Sequence, residues 1–89
     1  MAQLTVELIN RLGLHARAAA KFVHTTSRFS SQVLVSHNDE EVNGKSILGL
    51  LLLAAPCSSR LTITAIGDDE QGALAAIETL VKDRFGEGE

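Results

Sequence analysis

The sequence predicts an α+β fold, an open-faced sandwich in which a four-stranded antiparallel sheet is covered on one face by three helices. Three observations predict it. Segments alternating apolar and polar residues are interleaved with segments of helical period, in the order βαββαβα. Two of the strand segments follow one another across a short turn with no crossover helix, which implies antiparallel pairing. A chain of 89 residues, 45% hydrophobic and 21% charged, suffices for one core and not for two, so residues 1–89 are read as a single domain.

From Gln3 to Ile9, Leu4, Val6 and Leu8 share one face and Gln3, Thr5 and Glu7 the other, the period of a half-buried strand. Asn10-Arg11-Leu12-Gly13 breaks that pattern. From Ala16 to about Arg28, Ala19, Phe22, Val23 and Thr26 recur at three- and four-residue spacing, which predicts a helix. Val33-Leu34-Val35, within Gln32 to His37, reads as the second strand, Asn38-Asp39 as a turn, and Glu40-Glu41-Val42 as the third strand of a hairpin. Ser46 stands where an N-cap belongs, before a short helix from Ile47 that Pro56 is expected to end. Leu61, Ile63 and Ala65 alternate with Thr62 and Thr64 as the fourth strand, up to Gly67. Asp68-Asp69-Glu70 is expected to cap a last helix running to about Phe85, with Leu74, Ile77 and Val81 inward and Lys82 and Arg84 near its end. The tail, Gly86 to Glu89, is expected to fray.

Several classes of function are disfavoured. A net charge of −3 and 3% aromatic residues do not suit nucleic acid, which calls for a basic face with stacking side chains. The most apolar run, Ile47 to Ala55, is far shorter than the ~20 residues a membrane span needs. Met1 to Leu4 lacks the pattern of a signal peptide, and the single Cys57 cannot form an internal disulfide, so a cytoplasmic location is expected. His15, His24 and His37 have no metal-ligand spacing, and neither metal nor cofactor is expected. Cys57 has no nucleophile motif around it, and His24 and His37 read as ordinary side chains.

Chemistry concentrates at Gly13-Leu14-His15-Ala16-Arg17. An imidazole stands where a strand gives way to a helix, and a helix start offers unpaired N–H groups and the positive end of the dipole, here at Ala16, Arg17 and Ala18. An imidazole with its ordinary pKa near ~6.5 is mostly neutral at neutral pH and can attack phosphorus. His15 and Arg17 are therefore candidates to hold a phosphoryl group. Gly44-Lys45-Ser46 ends like a nucleotide-binding loop, but Asp39 stands where the first glycine of that loop belongs, and the loop is rejected. Ser46 is foremost a structural cap, although a phosphate there would add ~1.5–2 negative charges to its surroundings. On the short helix Ile47, Leu48 and Leu51 form one stripe while Leu50, Leu53 and Ala54 lie toward the other side. A helix on one face of a sheet buries only one side, so a stripe is left over and reads as a partner surface.

Gly13-Leu14-His15-Ala16-Arg17 and Asn43-Gly44-Lys45-Ser46-Ile47-Leu48-Gly49-Leu50, in this order and in a βαββαβα chain, closely resemble the HPr family, the histidine-containing phosphocarriers of the bacterial phosphoenolpyruvate-dependent phosphotransferase system. The resemblance covers essentially the whole chain. It implies a carrier and not an enzyme. By it, His15 accepts a phosphoryl group on Nδ1 from phospho-enzyme I and passes it to an EIIA-type domain, with Arg17 contacting the phosphate. It further implies that Ser46 matches the site used by HPr kinase/phosphorylase where that enzyme exists, and that Ala20, Ile47, Leu48, Gly49 and Leu51 dock partners. The chain is expected to act as a monomer. Ala18 departs from the Pro many members carry there, which bears on how rigidly the first helical turn holds His15. Pro56-Cys57-Ser58-Ser59 departs from the usual turn without functional weight.

Two rival readings accompany the carrier. One is a regulatory or nitrogen-branch relative that acts by binding partners, such as a transcriptional regulator, rather than by feeding sugar transport. The other is an interaction domain with no phosphorylation.

Overall fold

The computed structural model describes residues 1–87, in the order β1 (Ala2–Glu7), α1 (Ala16–Thr26), β2 (Gln32–His37), β3 (Glu40–Asn43), α2 (Ile47–Leu53), β4 (Arg60–Ile66) and α3 (Glu70–Lys82), followed by a single 3-10 turn at Arg84–Gly86. The strands form one antiparallel sheet in the order β1-β4-β2-β3. This is the open-faced sandwich that the alternation and helical periods predict.

Register follows from which face must be buried. Leu4 lies opposite Ile63 and Val6 opposite Leu61 across β1 and β4, and Val33 faces Ala65 and Val35 faces Ile63 across β2 and β4. These residues join Leu8, Phe22, Leu50, Ile77 and Phe85 in one apolar core beneath the helices. Asn38 and Asp39 both take positive φ, 49° and 69°, the tight hairpin that Asn and Asp tolerate best.

The ends of four elements are corrected. The first strand ends at Glu7, although Leu8 stays fully buried and exchanges backbone hydrogen bonds with Ser58 and Ser59. α1 stops at Thr26, short of Arg28, as Ser27 caps it by donating to the Val23 carbonyl. Pro56 does not end α2, because Ala54 already takes a left-handed φ of 50° and its N–H closes onto the Leu51 carbonyl. α3 ends at Lys82 and not near Phe85, since Arg84 and Phe85 both have positive φ.

The chain bends back where Arg84 and Phe85 take the left-handed conformation, and the bend seats Phe85, 1% exposed, in the core. Lys21 of α1 holds the turn by donating Nζ–H to the Phe85 carbonyl at 2.6 Å. The bend carries Glu87 toward the start of α1, so the fraying expected of the tail is wrong at Glu87, while Gly88 and Glu89 lie outside the described residues. Among the described residues, no helix is long and apolar enough to cross a membrane.

Candidate functional site

The loop from Asn10 to Leu14 is fixed before it reaches His15. Leu14 is buried and its N–H donates to the Ala55 carbonyl at 2.9 Å. Gly13 has φ of +66°, and a Cβ there would stand 2.5 Å from the Ala55 carbonyl oxygen, so only glycine lets the loop pass so close to the end of α2. Asn10, fully buried, donates both amide hydrogens from Nδ2, one to the Gly13 carbonyl at 2.7 Å and one to Glu87 Oε1 at 3.0 Å.

His15 emerges from this loop as the N-cap of α1, in extended conformation with φ −85° and ψ −179°. Its Nδ1 accepts the backbone N–H of Arg17 at 3.3 Å. Its Nε2 hydrogen-bonds to Glu87 Oε2, 72 residues away in sequence. The ring is thus held by both nitrogens while remaining partly exposed. Around it lies an open depression of about 460 Å³ lined by Arg11, Leu12, His15, Ala16, Arg17 and Glu87. Two guanidinium groups beside a helix start make this a place for an anion.

Burial works to raise the Glu87 carboxyl, but hydrogen bonds from Asn10 and His15, together with the charge of the His15 ring when it is protonated and that of Lys21, outweigh it and hold the group below the ordinary carboxylate value. Glu87 is therefore ionised where it faces the ring.

Ser46 caps α2, its Oγ accepting the Gly49 N–H at 3.0 Å. The loop before it is tied down: Lys45 donates Nζ–H to the Phe29 carbonyl at 2.7 Å, and Thr26 Oγ1 donates to the Gly44 carbonyl at 2.9 Å. Lys45 thus serves this loop's architecture. On α2, Leu50 and Leu53 are buried while Ile47, Leu48, Leu51 and Leu52 are exposed, Leu48 by 67% and Leu52 by 68%. Ala20 of α1 is exposed as well, and α1 packs on α2. Gly49 is turned from this stripe, for a Cβ there would meet Val42 of β3 at 3.2 Å. Ala18 faces inward and is fully buried, so its contribution to an anion would come through its backbone. His24 and Cys57 are exposed, and His37 is half-buried at the β2–β3 turn.

Glu87 and Asn10 are the site residues that sequence reasoning missed, along with Arg11 and Leu12 at its borders, and Leu52 was missed on the exposed face of α2. One signal was present. A large apolar residue, Phe85, following the last basic residues of a helix marks a tail that docks rather than frays.

Comparisons with known proteins agree with this geometry. The family model described as "PTS HPr component phosphorylation site" matches residues 2–83. Phosphocarrier protein HPr of Neisseria meningitidis is 48% identical over 89 residues, covering 100% of both chains. Among solved structures, HPr from Thermoanaerobacter tengcongensis superposes with a TM-score of 0.94 at 44% identity, covering 98% of each chain. Crh, the catabolite repression protein of Bacillus subtilis, whose structure is described as a swapped, intertwined dimer, gives a TM-score of 0.75 at 40% identity over 94% of this chain and 97% of that one. With a whole-length match in sequence and the same βαββαβα sandwich, this chain belongs to the HPr family, the phosphocarrier proteins of the phosphotransferase system.

Proposed function

We propose that His15 is the residue that carries the phosphoryl group, taking it from phospho-enzyme I and giving it to an EIIA-type domain in the cytoplasm, in the service of sugar uptake or its regulation. The observation that supports this most directly is the seat of the imidazole. Nδ1 stands at the start of α1 against the Arg17 N–H, in a depression bordered by Arg11 and Arg17. A helix terminus contributes ~0.3–1 kcal/mol to an exposed anion, enough to orient a phosphoryl group and too little to trap it. That balance suits a carrier.

The donor and acceptor must approach the same imidazole, and the exposed Ile47, Leu48, Leu51 and Leu52 offer apolar surface on the neighbouring helix for them. Incubation with phosphoenolpyruvate and enzyme I is expected to add one acid-labile phosphate, and His15→Ala is expected to add none. Acid-labile phosphate on the His15→Ala protein would overturn the assignment.

A second reading is favoured by the position of Ser46, which caps α2 at the edge of this apolar surface. Phosphorylation by an HPr kinase/phosphorylase would set ~1.5–2 negative charges there and alter which partners dock, a regulator among them. ATP and that kinase would then yield an acid-stable phosphate lost in Ser46→Ala.

A further inference from the structure

The two hydrogen bonds of the His15 ring decide where its proton sits. The Arg17 backbone N–H is a donor only, so Nδ1 must present its lone pair to it. Nε2 faces an ionised carboxylate, an acceptor only, so Nε2 carries the hydrogen. Glu87 itself is not free to turn. Its other oxygen accepts from Asn10 Nδ2, and Asn10 cannot flip, because its oxygen would then confront the Gly13 carbonyl and the Glu87 carboxylate, two acceptors. Asn10 Oδ1 is buried with no partner among the described residues, so the amide's orientation is set by its donors alone.

We propose that Glu87 is a positioning residue for phosphoryl transfer, fixing the Nε2–H tautomer of His15 so that the Nδ1 lone pair points at the anion seat, and balancing the charge of the phosphorylated ring; this rests on His15 being the carrier residue. The step balances without proton transfer to or from His15. The Nδ1 lone pair forms the bond to phosphorus as the donor's bond to phosphorus breaks and its electron pair returns to the donor atom. Nε2 keeps its hydrogen, and the ring becomes a phosphorylated imidazolium facing the Glu87 carboxylate. The Arg17 N–H, released from Nδ1, turns to a phosphate oxygen. When the group leaves, the nitrogen–phosphorus electron pair returns to Nδ1, and the ring is again neutral with its hydrogen on Nε2. An orienting carboxylate of this kind is worth about tenfold or more where its loss has been felt in other imidazole sites.

The test uses the full chain, labelled with 15N in histidine, as wild type, Glu87→Ala and Glu87→Gln. Wild type is expected to show His15 Nδ1 with the shift of an unprotonated nitrogen and Nε2 with that of a protonated one. In Glu87→Ala the two shifts should move toward each other, and in Glu87→Gln, which keeps an acceptor but no charge, by less. Phosphoryl acceptance from phospho-enzyme I by the folded protein should fall about tenfold in Glu87→Ala, measured well below a melting temperature that drops somewhat as the buried Asn10 amide loses an acceptor. Unchanged shifts, or acceptance at the wild-type rate by Glu87→Ala, would overturn the proposal. Failure of wild type to accept phosphate would instead overturn the carrier assignment, while the nitrogen shifts would still answer for the tautomer.

Discussion

Asp69 and Glu87 each reach across the fold to groups distant in sequence, and the difference between them separates architecture from chemistry. Asp69, at the start of α3, accepts the backbone N–H of Ser30 at 2.8 Å and of Ser31 at 2.9 Å, and the hydroxyls of both serines. All four donors hold their hydrogens at every ordinary pH, so this carboxylate is a brace between the approach to β2 and α3. Glu87 accepts from an amide on one side and from an imidazole on the other. Its second partner can change its proton count and, as proposed, its covalent state. The same carboxylate chemistry braces the backbone at one end and holds an imidazole by its Nε2 at the other.

Crossed truncations put that contrast to its strongest test. Asp69→Ala should lower the melting temperature clearly, because Ser31 is buried and its donors lose their acceptor, while leaving phosphoryl acceptance by the folded protein near wild type. Glu87→Ala should cut acceptance by the folded protein about tenfold and lower melting less than Asp69→Ala does, because it leaves the Asn10 amide without an acceptor where Asp69→Ala leaves the N–H groups and hydroxyls of both serines. Calorimetry paired with initial rates reads both, and equal losses in both variants would erase the distinction.

Acid offers the next largest effect. The Ser31 hydroxyl first, then the Ser30 N–H, pull the Asp69 carboxyl from 3.8 down to about 2. A carboxyl lowered on folding stabilises the fold fully above its unfolded value, and that contribution is lost as pH falls through the folded value. Wild type should therefore lose stability between about pH 4 and pH 2, with Glu87 adding to the loss in the same direction. Asp69→Asn should flatten much of that stretch in a denaturant series against pH. A curve for Asp69→Asn that parallels wild type would show that the brace is not electrostatic.

The smallest effect belongs to the Ser46 cap of α2. Ser46→Ala removes the acceptor of the Gly49 N–H and should cost ~1 kcal/mol in urea unfolding, with no change at His15.

How far the sequence carried depended on the range of the contact. Local periodicity was enough for the seven regular elements, because the register of Val33, Val35, Ile63 and Ala65 is dictated by which side must be dry. Ser46 was legible as a cap, for a cap lies beside its own helix. Asp69 was misread by the same logic. It occupies the N-cap position of α3 yet makes no side-chain cap bond, since Ser30 and Ser31 hold its oxygens. The place of His15 at the start of α1 was legible from its neighbours, whereas its contact with Glu87 was not, because nothing within a helical turn of Glu87 names a partner 72 residues away. What places Glu87 is the left-handed bend at Arg84 and Phe85, anchored by the buried Phe85 ring.

Carriage of the phosphoryl group on Nδ1 of His15 is tested most directly by 15N–31P correlation on the chain phosphorylated by enzyme I and phosphoenolpyruvate. Phosphorus is expected to couple to Nδ1 of His15, with the ring hydrogen still on Nε2. Phosphorus on Nε2, or on any residue other than His15, would contradict it.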